Sequence, residues 1–367
     1  MTLADNNQFW RNKKVFLTGH TGFKGSWLSI WLHYLGAEVK GYALAPNTSP
    51  AMFTHLALEQ YVDSEIGNIC DFDQLKQSMC EFEPDVLIHM AAQPLVRASY
   101  KDPVTTYATN VMGLVNVLEA ARSCEQLKAI VNVTSDKCYE NQEWSWGYRE
   151  VDPMGGFDPY SSSKGCAELV TQAYRRSFYH PNQPIALASA RAGNVIGGGD
   201  WAEDRLIPDI LRALSQQKTV SIRQPKAIRP WQHVLEPLSG YLILAQRLYE
   251  SGHDFAQGWN FGPYDQDVKT VAWIANFMTN RWGQNASWEI EGESQLHEAH
   301  RLKLDITKAS ERLDWEPCWS IEQALQAVCE WHQAWIEKED MLALTIKQIE
   351  AYEAVRSTKQ EERIYEY

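Results

Sequence analysis

Short apolar runs alternate with amphipathic stretches through the first half of the chain, the pattern of a parallel sheet joined by crossover helices. Val15–Thr18 is an apolar run that stops at Gly19. Phe23–Leu35 repeats apolar side chains at helical spacing, and Gly36 stands where a C-cap glycine belongs. Val39–Leu44 reads as a second strand, Asp73–Phe82 as a helix and Asp85–Met90 as a third strand. Val111–Arg122 is strongly helical and Ala129–Thr134 is a β-branched strand behind it. Ser162–Phe178 is again helical, followed by the strand-like Ile185–Ala190. The expected fold class is α/β: a doubly wound parallel sheet with a smaller, mixed α/β C-terminal part.

After Arg191 the texture changes. Gly193–Asp200 is glycine-rich, and the stretch to Trp231 mixes short helices with Pro and Arg. Leu235–Tyr249 reads as a helix and Gly258–Pro263 as a short strand with a turn. These shifts predict a first domain from 1–190 plus about 232–262, and a second from about 191–231 plus 263–338. The remainder, 339–367, is a charged helical tail, read as a surface or packing helix.

Composition narrows the functions open to the chain. A net charge of −13 argues against general nucleic-acid binding, which needs a basic surface to displace counterions. It leaves room for an anionic small molecule, because a few placed arginines override the average field locally. The seven cysteines show no ligand spacing, so they read as free thiols of a reducing compartment and give no metal site. The first ten residues lack the basic and apolar regions of a signal peptide, and no apolar run has the length of a membrane span. A cytoplasmic protein is expected.

Two motifs carry chemistry. Thr18-Gly19-His20-Thr21-Gly22-Phe23-Lys24-Gly25 lies between a strand and a helix. Glycines there let the backbone approach a pyrophosphate at the helix N-terminus, where free N–H groups and the dipole favour an anion. Further on, Tyr160 and Lys164 stand four residues apart, on one face if the helix begins near Tyr160. An ammonium beside a phenol stabilises the phenolate and so makes a general base. The second strand ends in Leu44-Ala45-Pro46, which supplies neither the acid that would hold the ribose of NAD nor the base that would favour NADP.

TGHTGFKG, GNICDF, HMAAQPLV, TNVMG, VTSDKCY, YSSSK, RAGNVIGGGDW and IRPWQHV make the chain, from Lys14 to about Trp335, resemble the extended short-chain dehydrogenase/reductase family in its sugar-nucleotide branch. The resemblance implies a Rossmann domain that binds NAD. Gly19, Thr21, Gly22, Phe23 and Gly25 would cradle the pyrophosphate, and Asn68 and Ile69 would approach the adenine. Ala91, Ala92, Gln93 and Asn110 would complete the cofactor site with Tyr160 and Lys164. Asn68 stands where many relatives have Asp.

Thr134-Ser135-Asp136-Lys137 follows a strand at its carboxyl end, where open α/β sheets place ligands. Members of the branch that act as 4,6-dehydratases carry a hydroxyl, an Asp and a further acid–base residue there; the third is Glu in dTDP-glucose enzymes and Lys in those acting on CDP-glucose. The resemblance therefore implies a lyase on CDP-glucose with Ser135, Asp136, Lys137, Tyr160 and Lys164 as the catalytic set, serving deoxy-sugar synthesis of the O-antigen type. Asn194, Arg205, Arg229 and His300 would hold the nucleotide diphosphate, and a homodimer would form. The competing readings are a sugar-nucleotide epimerase or reductase on the same scaffold, and a non-catalytic NAD-binding regulator.

Overall fold

The computed structural model describes residues 8–283, 286–290 and 302–365. Its first half alternates strand and helix: β1 (Lys14–Thr18), α1 (Phe23–Tyr34), β2 (Glu38–Ala43), β3 (Asp63–Ile66), α2 (Phe72–Phe82), β4 (Val86–His89), α3 (Gly113–Ala121), β5 (Ala129–Val133), α4 (Pro159–Ser177) and β6 (Ala186–Ala192). Then come α5 (Leu206–Ser215), α6 (Leu235–Ser251), β7 (Gly258–Phe261), α7 (Val271–Trp282), α8 (Ile321–Glu337) and α9 (Met341–Tyr365). The seven strands form one parallel sheet in the order β7-β6-β5-β4-β1-β2-β3.

Both faces of that sheet are covered, which is why its inner strands read as continuous apolar runs. Val15 and Leu17 enter one core with Trp27 and Trp31 of α1, Leu238 and Leu242 of α6 and Ile349 of α9. Phe16, between them, enters the other with Leu75 of α2, Leu114 of α3 and Ala167 of α4. A third cluster lies away from the sheet, where Ile210 of α5, Ile274 of α7 and Leu325 of α8 pack around Trp231.

Three local features differ from the sequence reading. β3 is an additional strand, missed because DSEI carries no apolar run; it is the sheet edge, where charge is tolerated and discourages further pairing. Lys40 of β2 reaches Asp63 and Glu65 of β3 at 3.1 and 3.0 Å. The helix expected from Val111 opens as a π-helical turn, Ala108–Met112, before α3. α4 starts at Pro159, three residues before the expected Ser162, with Asp158 accepting from the Ser161 N–H at 2.9 Å. That earlier start puts Tyr160 in the first turn and Lys164 one turn beyond it.

The chain order reverses at β1, which lies between β2 and β4. At such a switch point the loops leaving the strands diverge and open a crevice at their carboxyl ends. Here the loops after β1, β4 and β5 face the α5–α7 cluster across it.

Candidate active site

That crevice is a cavity of about 910 Å³, at the upper end of the range for small-molecule sites. Its floor is the glycine loop. Gly19 has φ +81, and a Cβ there would stand 2.7 Å from the Ala91 nitrogen, so only glycine lets the β1 and β4 loops lie this close. Thr18 fastens them: its hydroxyl accepts from the N–H groups of Met90 and Ala91 at 3.1 and 3.2 Å. Gly22 is the N-cap of α1 with no side-chain cap, and the first turn holds no acidic residue. The helix's free N–H groups are thus left to an anionic ligand from the cavity. Thr21 donates to the Leu44 carbonyl at 2.8 Å, which holds the end of β2 against the loop.

Gly19, Thr21, Gly22, Phe23, Gly25, Asn68, Ile69, Ala91 and Ala92 all line the cavity. Asn68 uses its carboxamide oxygen locally, accepting from Cys70 N–H at 2.9 Å. Gln93 and Asn110 do not line it. Asn110 is buried behind the wall, accepting from the Gln93 N–H at 2.8 Å and donating to the Ser163 hydroxyl at 2.8 Å. The two residues shape the loop after β4 and tie it to α4, where the sequence reading expected direct cofactor contact.

At the other end of the cavity the polar side chains converge. Ser135 opens a 3-10 turn over Asp136–Cys138; its hydroxyl accepts from the Lys137 N–H at 3.2 Å and donates to Asp136 Oδ1 at 2.9 Å. Burial pushes the Asp136 carboxyl up, against the pull of Lys137 and Ser135. Oδ2 of Asp136 is buried with no hydrogen-bond partner among the described residues. Burial pushes the Tyr160 phenol up to about 12, and Ser135 and Arg205 act to lower it. Burial lowers Lys164 to about 8, opposed by Cys138 and Glu168.

Arg205 pairs with Asp200 at 3.0 Å, and Asp200 and Tyr160 together hold its guanidinium above its usual range despite burial. It therefore stands near the Tyr160 phenol in the same cavity. Asn194 and Arg229 line the same wall, and Arg229 donates to the Ile228 carbonyl at 3.0 Å. His300 lies outside the described residues.

The structure adds residues that the sequence did not single out. Lys24, inside the glycine loop, is lowered to about 7 by burial and by the nearby charges of Lys164 and Arg205, with Asp136 acting the other way. Its identity within TGHTGFKG was visible; its place among those charges was not. Asp204 bridges Arg97 at 2.9 Å and Arg223 at 3.7 Å across the cavity mouth, and no local motif announces that arrangement. Among the described residues no group of three or more His, Cys, Asp or Glu side chains could hold a metal ion. No helix among them is long and apolar enough to cross a membrane.

Residues 16–328 match a family model described as GDP-mannose 4,6 dehydratase. The CDP-glucose 4,6-dehydratase of Salmonella typhimurium (strain LT2) is 56% identical over 354 residues, covering 95% of this chain and 98% of that protein. A dTDP-glucose 4,6-dehydratase of Xanthomonas campestris is 23% identical, over 88% of this chain and 94% of its own. Among solved structures, the dTDP-glucose 4,6-dehydratase DesIV of Streptomyces venezuelae, with NAD and TYD bound, superposes with a TM-score of 0.76 at 21% identity, covering 90% of this chain and 99% of that one. A UDP-glucose 4-epimerase of Thermotoga maritima with UDP-glucose gives 0.78 at 20% identity, covering 88% and 99%. At these identities the two structures speak for the fold.

Proposed function

Because the chain belongs to the GDP-mannose 4,6-dehydratase family, we propose that it is a lyase that converts CDP-glucose to CDP-4-dehydro-6-deoxyglucose and water, with NAD as its cofactor. The observation that carries this reading is the Ser135–Asp136 hydrogen bond of 2.9 Å, set beside Tyr160 and Lys137 in one cavity. An epimerase or reductase has no use for a general acid there, since neither expels water from C6.

The uncapped N-terminus of α1 and the close approach at Gly19 suit a dinucleotide pyrophosphate. Gly19, Thr21, Gly22, Phe23 and Gly25 would hold it, with Asn68 and Ile69 toward the adenine and Ala91 and Ala92 along its length. NAD, when bound, would supply the hydride acceptor for C4 and the hydride donor for C6. The protein's own residues move the protons. Tyr160 accepts that of the 4-hydroxyl, steadied by Ser135 and by the charges of Lys164 and Arg205. The resulting 4-ketone acidifies C5, whose proton Lys137 removes and later gives back. Asp136 protonates the departing 6-hydroxyl, a task that the upward push of burial on its carboxyl favours. Arg205, Arg229 and Asn194 meet the substrate diphosphate.

The preference for CDP rests on the 56% identical relative. The chain's seven free cysteines fit a cytoplasmic enzyme. The exposed apolar side chains of Val104, Met112 and Leu169, on or beside α3 and α4, fit a homodimer. Incubation with NAD and a panel of CDP-, dTDP-, UDP- and GDP-hexoses, with products identified by mass, tests the reading: loss of water from CDP-glucose is expected, and epimerised or reduced products of unchanged oxygen count would overturn it.

A further inference from the structure

Three charged side chains at the cavity mouth take no part in the chemistry above. Arg97 comes from the helical turn Val96–Lys101 after β4, Asp204 from the turn before α5, and Arg223 from the end of the short strand Val220–Ile222. Arg97 donates to Asp204 Oδ1 at 2.9 Å, and Arg223 stands 3.7 Å from the same oxygen. The second distance is an ion-pair contact but too long for a hydrogen bond. Among the described residues nothing donates to Asp204 Oδ2, and the Arg223 guanidinium donates no hydrogen bond. All three residues line the cavity.

Resting on the CDP-glucose reading above, we propose that Asp204 and Arg223 read the edge of the cytosine ring, with Arg97 holding the carboxylate in place for it. That edge carries the 4-amino donor beside the N3 acceptor. Asp204 Oδ2 accepts from the amine, as carboxylates do from cytosine elsewhere, and the Arg223 guanidinium donates to N3. Uracil, thymine and guanine present the reverse order, a carbonyl acceptor beside an N–H donor, so both contacts would set like against like. Groups mismatched in this way lose water without gaining a partner, which makes rejection strong.

The surroundings suit a base better than a second phosphate. Leu206 lies two residues from Asp204 and Ile222 next to Arg223, and both line the cavity, giving apolar surface to the faces of a flat ring. A carboxylate set beside two guanidiniums already offsets their charge and repels an anion. The order of groups along the chain agrees with the order along the ligand. Arg205, which meets the diphosphate, lies near Tyr160 and is followed outward by its neighbour Asp204 at the mouth.

Calorimetry on the NAD-loaded protein tests the pair. It compares CDP with UDP and with the diphosphate of pyrimidin-2-one riboside, which has hydrogen in place of the 4-amino group. The intact protein should bind CDP about 10- to 100-fold more tightly than either. Asp204→Ala should weaken CDP and erase its advantage over the analogue lacking the amine. Arg223→Met should weaken CDP and that analogue alike, since both carry N3, and should not weaken UDP. An Asp204→Ala protein that keeps the full wild-type preference for CDP over the analogue would overturn the base-reading role. An intact protein that binds CDP and UDP equally would overturn the CDP reading, and this proposal with it. If the binding pattern holds but the intact protein removes no water from CDP-glucose, the dehydratase reading falls and the base-reading pair stands.

Discussion

Arg191 of β6 donates to Glu168 Oε2 of α4 at 2.7 Å, with both side chains buried. Glu168 also accepts from the hydroxyls of Thr134 and Ser189. It thus joins β5, β6 and α4 directly beneath Ser135 and one helical turn beyond Lys164. Burial alone would raise this carboxyl, but Arg191 and the two hydroxyls outweigh it and hold it below the usual carboxylate range.

Glu168→Gln should therefore cost about 3–5 kcal/mol, because it leaves the Arg191 cation buried and uncompensated. Urea unfolding at pH 7 reads the loss. The wild-type contribution is fully present above the ordinary carboxylate range and is lost as pH falls through the lowered folded-state value, so the gap between the two proteins should narrow in acid. A gap that stays constant from pH 7 to pH 3 would contradict the ion-pair account.

Lys137→Ala separates oxidation from elimination. The cofactor site does not include this side chain's amine, so NAD binding should be retained, while loss of water should fall by about 100-fold or more. In deuterated water the wild-type product gains deuterium at C5, and the variant should accumulate the bound 4-keto hexose that still carries its 6-hydroxyl. Normal yield of labelled 4-keto-6-deoxy product would remove Lys137 from the mechanism.

Lys24 makes the fold sensitive to pH from the opposite side. Its folded-state value of about 7 lies below that of an exposed lysine, so between the two the unfolded chain binds the extra proton and stability rises with pH. Lys24→Met should raise stability at pH 6 by about 1–3 kcal/mol, the cavity-facing amine being partly relieved by solvent, and should flatten that rise. Thermal melts at pH 6 and pH 9 compare the two.

The sheet was legible because its inner strands are buried on both faces: Val15, Phe16 and Leu17 serve two cores at once and so form an unbroken apolar run. β3 carries no such signal because an edge strand needs no apolar run, and DSEI has none. The glycine loop and the Tyr160–Lys164 spacing were legible because each is local in sequence. What was not legible is contact across the fold. Asn110 props the loop after β4 from behind, Arg205 reaches from α5 to the neighbourhood of Tyr160, and Lys24 shares a field with Lys164 and Asp136. Each of these depends on which loops the switch point brings together, and periodicity carries no record of that.

The C-terminal helix gives a final test, since the sequence left its role open between surface and packing. Tyr352 of α9 is buried, stands edge-on to Trp31 of α1 at 5.7 Å and donates to Glu236 of α6 at 2.7 Å. Glu236 also accepts from the N–H groups of Cys318 and Trp319. Burial raises its carboxyl to about 7, against the pull of these donors. Because that value lies above the unfolded one, the folded state holds the proton more tightly, and stability falls as pH rises from the ordinary carboxylate range through about 7. Tyr352→Phe removes a donor that the ionised form needs most. The variant should lose about 0.5–1.5 kcal/mol at pH 5, where the carboxyl is protonated, and about 1.5–3 kcal/mol at pH 8, where it is charged. Protease sensitivity of α9 should rise with the same pH trend. Equal losses at both pH values would mean that Tyr352 holds the helix by packing against Trp31 alone.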